Sequence, residues 1–249
     1  MVEFASLLVV AGTFLIAGSV KGVIGLGLPT VSLALLTVAL DLPTAMAMLL
    51  IPSFVTNIWQ SMVGGNARAI LVRLWPFFAM ATISVWIGAA ALTRINLSLL
   101  TALLGSLLII YSVVNLIGIR IVVPSRHEFW AGPLIGSANG VLTGMTGSFV
   151  VPGVMCLHAI GLPRNMLIQA MGMLFTVSTV ALAAALQQAD FLTVQYGAIS
   201  AAAVLPAIAG MVLGQRIRER LSEQMFRNVF FISLLVLGTY IIVNALQAL

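Results

Sequence analysis

Apolar residues fill long stretches of the chain, at about Phe4 to Val20, Thr30 to Leu40, Ala45 to Val63, Leu74 to Leu92 and Leu97 to Ile117. A comparable set follows at about Phe129 to Leu142, Pro152 to Ile160, Met166 to Leu186, Val194 to Leu213 and Val229 to Ala245. A helix needs ~20 apolar residues to cross the hydrocarbon of a bilayer, so the second stretch of each set is too short to span. The pattern predicts an all-α polytopic membrane protein whose halves, residues 1–122 and 123–249, share one plan. Each half is a Gly/Pro-broken helical hairpin that enters the membrane and returns, followed by three spanning helices.

Internal similarity supports the division. Gly18-Ser-Val-Lys21-Gly22 recurs as Gly136-Ser-Ala-Asn139-Gly140 at an offset of 118, and Leu42-Pro43 recurs as Leu162-Pro163 at 120. Arg94 matches Arg220 at 126, and Ser106-Leu-Leu matches Ser233-Leu-Leu at 127. Ordered matches whose offset grows slowly are what a duplicated unit with small insertions leaves behind.

Composition removes the soluble alternatives. Of 249 residues, 61% are hydrophobic and 7% charged, with mean hydropathy +1.19, which leaves too little polar surface for a soluble domain. The length accommodates roughly eight to ten membrane segments, so no appended catalytic or DNA-binding domain is expected. The isoelectric point near 10.4 rests on eleven basic residues scattered in short loops, so it argues for membrane orientation and against a nucleic-acid partner. The single cysteine, Cys156, excludes an intrachain disulfide and a multi-cysteine metal site, and His127 and His158 lie apart; no cofactor is expected. The start Met-Val-Glu lacks a basic n-region, so a retained first helix is expected there.

Loop charge sets the orientation. With each hairpin returning to its own side, Arg68, Arg73, Arg120, Arg126, Arg164, Arg216, Arg218, Arg220 and Arg227 share one side and Arg94 stands on the other. Basic loops stay cytoplasmic, which puts both termini in the periplasm. Three spans after each hairpin invert the second half, and inverted repeats with broken helices are an architecture of secondary transporters.

The first hairpin turns at Gly22-Val-Ile-Gly25-Leu-Gly27-Leu-Pro29, and the second at Gly140-Val-Leu-Thr143-Gly144-Met-Thr146-Gly147-Ser148-Phe-Val-Val-Pro152. Such sequences free backbone groups that are tolerated at membrane depth only where they line a cavity or bind something. Each turn leads into a short helix whose unpaired N–H groups and positive dipole end would suit a small anion, and the two hairpins together would hold it. Close helix packing through small residues is the alternative use of the glycines. Lys21 is the only lysine; inside a membrane hairpin it would face the anion, unless it snorkels to the interface. Its repeat mate Asn139 is neutral. Asn57 and Gln60 share a helix face and, with Trp59, would border a substrate path, whereas hydrogen bonding between helices is the plainer role for them and for Thr56, Gln169, Thr176 and Ser178. Asp41 and Asp190 read as helix caps.

Gly22, Gly25, Gly27, Pro29, Gly140, Gly144, Gly147 and Pro152 carry a resemblance to the sulfite exporter TauE/SafE family of bacterial membrane permeases, over essentially the whole chain. Family members have a denser glycine cluster at each turn; here Leu26 and Leu28 interrupt it, as in a divergent subfamily. The resemblance implies export of sulfite, sulfoacetate or a related small anion across the bacterial inner membrane. The partners expected are therefore a small anionic substrate and the lipid bilayer, with a homo-oligomer compatible with both. A passive channel or a membrane subunit of a larger complex shares the composition without requiring duplicated hairpins. An enzyme would need a nucleophile with a base, or a metal cluster, and neither is evident.

Overall fold

Segments of this apolarity fold as helices because a backbone in hydrocarbon must satisfy its own hydrogen bonds. The computed structural model describes residues 4–119, 122–218 and 222–249, and they are helical without a strand. The helices are α1 (Phe4–Ile24), α2 (Leu28–Ala39), α3 (Leu42–Met62), α4 (Ala67–Ile83), α5 (Val85–Ala89) with a 3-10 turn (Ala90–Thr93), and α6 (Leu97–Ile117). They continue as α7 (Ser125–Thr146), α8 (Gly153–Ala159), α9 (Arg164–Gln188), α10 (Val194–Ala202), α11 (Val204–Arg218) and α12 (Glu223–Gln247). Arg120, Arg220 and the Met-Val-Glu start lie outside the described residues.

Among the described residues, seven segments are long and apolar enough to cross a membrane: α1, α3, α4 through the 3-10 turn, α6, α9, α10 with α11, and α12. The chain is a multi-pass membrane protein. Helices α2 and α8, at 12 and 7 residues, are the short ones the apolar pattern predicts. Two predicted spans are broken: 74–92 at Ser84 and 194–213 at Ala203. Pro206 accounts for the second break, because it lacks the amide that would bond the Ala202 carbonyl and its ring crowds that oxygen.

Local signals set the ends. Asp41 caps α3, its Oδ1 accepting from the Thr44 amide at 2.9 Å and its Oδ2 from the Thr44 hydroxyl at 2.8 Å. Asp190 does not cap α10. It follows α9 with φ 58°, and the α10 cap is Thr193, whose hydroxyl accepts from the Tyr196 amide at 3.2 Å.

The helices form two compact units, Met1–Pro52 with Ile95–Gly118 and Phe191–Leu249, and Ser53–Arg94 with Ile119–Asp190. Both cut across the sequence halves. In the first unit α1 packs on α11 through glycines four apart on both helices. A Cβ at Gly18 would strike the Ala207 carbonyl, one at Gly22 the Met211 carbonyl, and ones at Gly210 and Gly214 the carbonyls of Leu15 and Ser19. Helices α6 and α12 cross where Gly105 meets the Gly238 carbonyl. Pro52, within α3, removes the amide that would bond the Met48 carbonyl. Ser200 of α10 fills the gap, its hydroxyl donating to Met48 O at 2.8 Å and accepting from the Ile51 amide at 3.1 Å.

In the second unit α7 packs on α4 and α5 in the same manner. Gly136, Gly140 and Gly144 lie against the carbonyls of Phe77, Ala81 and Val85, and Gly88 lies against that of Val141. Matched positions of the two halves thus play the same part, since Gly18 and Gly136, like Gly22 and Gly140, hold a hairpin helix against a span from the other half. Between them, Ser19 and Ser137 each donate to the carbonyl four residues back, at 2.8 Å.

Candidate functional site

The α7–α8 turn is shorter than the glycine pattern suggests. Helix α7 continues through Gly140, Thr143 and Gly144 and ends at Thr146, so only Gly147 to Pro152 form the turn. Gly147 closes the helix with φ 73°, a left-handed backbone that favours glycine. Gly140 and Gly144 are packing glycines, as is Gly22 in α1. Glycine alone does not distinguish a turn from a close helix contact, and here the partner carbonyls decide.

Hydroxyls fix this turn from inside. Thr143 Oγ1 donates to the Ser148 carbonyl at 2.9 Å; Thr146 Oγ1 donates to Leu142 O at 2.7 Å and accepts from the Ser148 amide at 3.2 Å. All three residues are buried. Asn139 sits beside the start of α8, where its Oδ1 accepts from the Gly153 amide at 2.9 Å. The amides of Val154 and Cys156 go to the carbonyls of Val150 and Pro152. The N-terminus of α8 is therefore more fully engaged within the chain than the sequence suggests, and Asn139 occupies the place expected of an anion. The Asn139 Nδ2 is different: the residue is 0% exposed and this nitrogen has no hydrogen-bond partner. A buried polar atom left so costs ~1–3 kcal/mol, which is the kind of exception a ligand explains. Ser53 and Ser178, in the same unit, also carry buried hydroxyls without a partner.

Gln60 does not border an open path. Its Nε2 donates to the Ile168 carbonyl at 2.8 Å, where Gly172 of α9 lies against the α3 backbone at Gln60 and Ser61. Asn57, one turn earlier, is buried, whereas Trp59 is 69% exposed on another face, so these three residues do not line one surface.

The first hairpin belongs to the other unit. Its turn is Gly25 to Gly27, with φ of 78° and 107° at the two glycines, and Pro29 lies in the first turn of α2. A Cβ at Gly25 would meet nothing within 4 Å, whereas one at Gly27 would lie 3.0 Å from Val20 Cγ1. Lys21, in the last turn of α1, is 4% exposed, so its side chain is enclosed by protein and does not run along the outer surface. The structure thus gathers Asn139, Thr143, Thr146, Gly147 and Ser148 at one turn and Lys21, Gly25, Gly27 and Pro29 at another. Among the described residues, no three His, Cys, Asp or Glu side chains converge as for a metal ion.

A model of the protein family described as Sulfite exporter TauE/SafE matches residues 10–241. The chain belongs to this family. The match takes in both hairpins of the TauE/SafE chain and every span between them, so the packing glycines described above lie within the matched region. No curated protein and no solved structure matches this TauE/SafE chain. Ser53, Arg73, Glu128 and Ser200 escape a reading of the sequence, because each acquires its significance from a partner distant in the chain or from burial alone.

Proposed function

We propose that the protein exports a small sulfur-containing or organic anion, such as sulfite or sulfoacetate, across a bacterial inner membrane by alternating access. Membership of the sulfite exporter family carries this reading. The two sequence halves are proposed to be inverted repeats with re-entrant hairpins. The matched roles of Gly18 and Gly136 and of Gly22 and Gly140 support this, as does the shared order of long helix, short helix, span, broken span and span. Nine of the ten arginines fall on one side in that arrangement, which supports a cytoplasmic assignment for that side and periplasmic termini. Lys21 in the first unit and the Asn139 amide in the second are each proposed as a recognition group, each with the backbone of its own turn. An inside-negative potential drives an anion outward by ~2.3 kcal/mol per charge per 100 mV, so export requires no coupled ion in principle.

Reconstitution into liposomes tests the proposal. Saturable efflux of sulfite, inhibited by sulfoacetate and not by chloride, is expected. Efflux no faster than from protein-free liposomes, or flux that rises linearly and equally for sulfite and chloride, would overturn it.

A further inference from the structure

Away from the hairpin turn, the second unit holds a cleft between α4, α7 and α8. Arg73, Phe77, Glu128, Phe129, Cys156 and Ile160 are among its lining residues. Arg73 and Glu128 meet side by side as a fork: Arg73 Nε donates to Glu128 Oε2 at 2.8 Å and Nη2 donates to Oε1 at 2.6 Å. The two partners are unequally covered, with Glu128 9% and Arg73 38% exposed. Phe77, Phe129 and Ile160 make the surroundings apolar.

We propose that Arg73 is an anion-docking residue at this cleft, its guanidinium exchanging the Glu128 carboxylate for a small oxyanion. The inference deepens the transport reading and rests on it for the identity of the anion. Two parallel N–H···O bonds are how a guanidinium takes any carboxylate, sulfonate or sulfite, so the Glu128 carboxylate occupies the place such an anion would take. The more exposed partner is the cation, so a solute can approach the guanidinium before it displaces the carboxylate. Apolar walls strengthen the attraction for whichever anion is held. Arg68 and Arg126, exposed near the starts of α4 and α7, add positive potential toward the same helix ends. Glu128 then acts as an internal competitor that keeps docking weak enough for the anion to leave again. In the proposed orientation the cleft opens at the cytoplasmic side, where an exported anion enters.

Cys156 provides a probe in the same cleft, because it is the only cysteine. The assay is the rate of Cys156 alkylation by N-ethylmaleimide in lipid-stripped, detergent-purified protein, with sulfoacetate as the anion and chloride at matched ionic strength as control. Sulfoacetate should slow alkylation of the wild type. Glu128→Gln should lower the half-protecting concentration about ten-fold, and Arg73→Gln should abolish protection, as expected for one charge-assisted contact. Arg73→Lys, which keeps charge without the fork, should fall between. A merely structural ion pair predicts the same loosening from both neutral variants and no effect of sulfoacetate. If phosphatidylglycerol protects Cys156 and sulfoacetate does not, the cleft holds a lipid headgroup and the proposal is overturned. Efflux from liposomes separates this inference from the function: docking without flux removes the transport reading alone. Flux with wild-type half-saturation in both folded neutral variants removes Arg73 alone.

Discussion

Gln60 and Gln169 reach across the same crossing of α3 and α9 in opposite directions. Gln60 Nε2 donates to the carbonyl of Ile168, and Gln169 Nε2 donates to that of Ser61, both at 2.8 Å. Gln169 Oε1 also accepts from the Asn66 amide at 2.9 Å, so its side chain holds both the crossing and the loop after α3. Hydrogen bonds between membrane helices are worth about 0.6 kcal/mol each on average. Gln169→Ala, which removes two bonds, should therefore cost roughly twice what Gln60→Ala costs. Thermal unfolding of the purified variants checks the order, and a larger loss from Gln60→Ala would contradict it.

Glycines of the two kinds should respond differently to the same change. Gly144→Ala and Gly18→Ala place a methyl group on a neighbouring carbonyl and should abolish stable folding. Gly25→Ala meets open space and bears only the left-handed backbone cost, about 1–2 kcal/mol. Yield of monodisperse protein after size exclusion separates the two outcomes.

Ser200 and Pro52 should be energetically coupled. Ser200→Ala strips the Met48 carbonyl of its hydroxyl donor and the Ile51 amide of one acceptor, and should destabilise by about 1–3 kcal/mol. Pro52→Ala restores an amide at position 52 that can bond Met48 O, so Ser200→Ala should cost less in that background. A double-mutant cycle by thermal unfolding measures the difference. Strict additivity would show that Ser200 does not stand in for the missing helix bond.

Lys21 separates charge from shape. Lys21→Met keeps most of the side-chain volume, so the variant should express normally while its half-saturation for sulfite efflux rises about ten-fold through loss of a charged contact. Lys21→Arg should retain part of the activity, and a dianion should lose more than a monoanion of similar size. Unchanged half-saturation in Lys21→Met would remove Lys21 from recognition.

Orientation is open to chemical labelling. In a Cys156→Ser background, single cysteines beside Arg68 and Arg218 should be protected from an impermeant maleimide in intact cells, and one near the C-terminus should be modified. Labelling beside Arg68 from outside would reverse the assignment.

The helices were legible from the sequence because hydrocarbon permits few alternatives, and α2 and α8 announced themselves by length. The break at Ala203 follows from Pro206, but nothing near Ser84 signals its counterpart. Glycine carried the ambiguity. Gly22 and Gly144 look like turn residues beside Gly25 and Gly147, and only the carbonyls of Met211 and Val85 show that they are contact residues. Polar residues were harder still. Gln60 reads singly as a bridging side chain and, beside Asn57 and Trp59, as a path-lining one until Ile168 is seen opposite, and Ser200 has no apparent role until Pro52 leaves a carbonyl to satisfy.

The pairing of α1 with α11 also orders events during synthesis. Gly22 reaches the membrane long before Met211, the residue whose carbonyl it packs against, has been made. At roughly 5–20 residues per second, translation of the intervening chain takes on the order of 10–40 s. Through that interval Gly18 and Gly22 lack the Ala207 and Met211 carbonyls that they pack against in the folded protein. The tightest packing partner of α1 is thus supplied late, so this contact closes only after α11 has been translated, however early α1 is made.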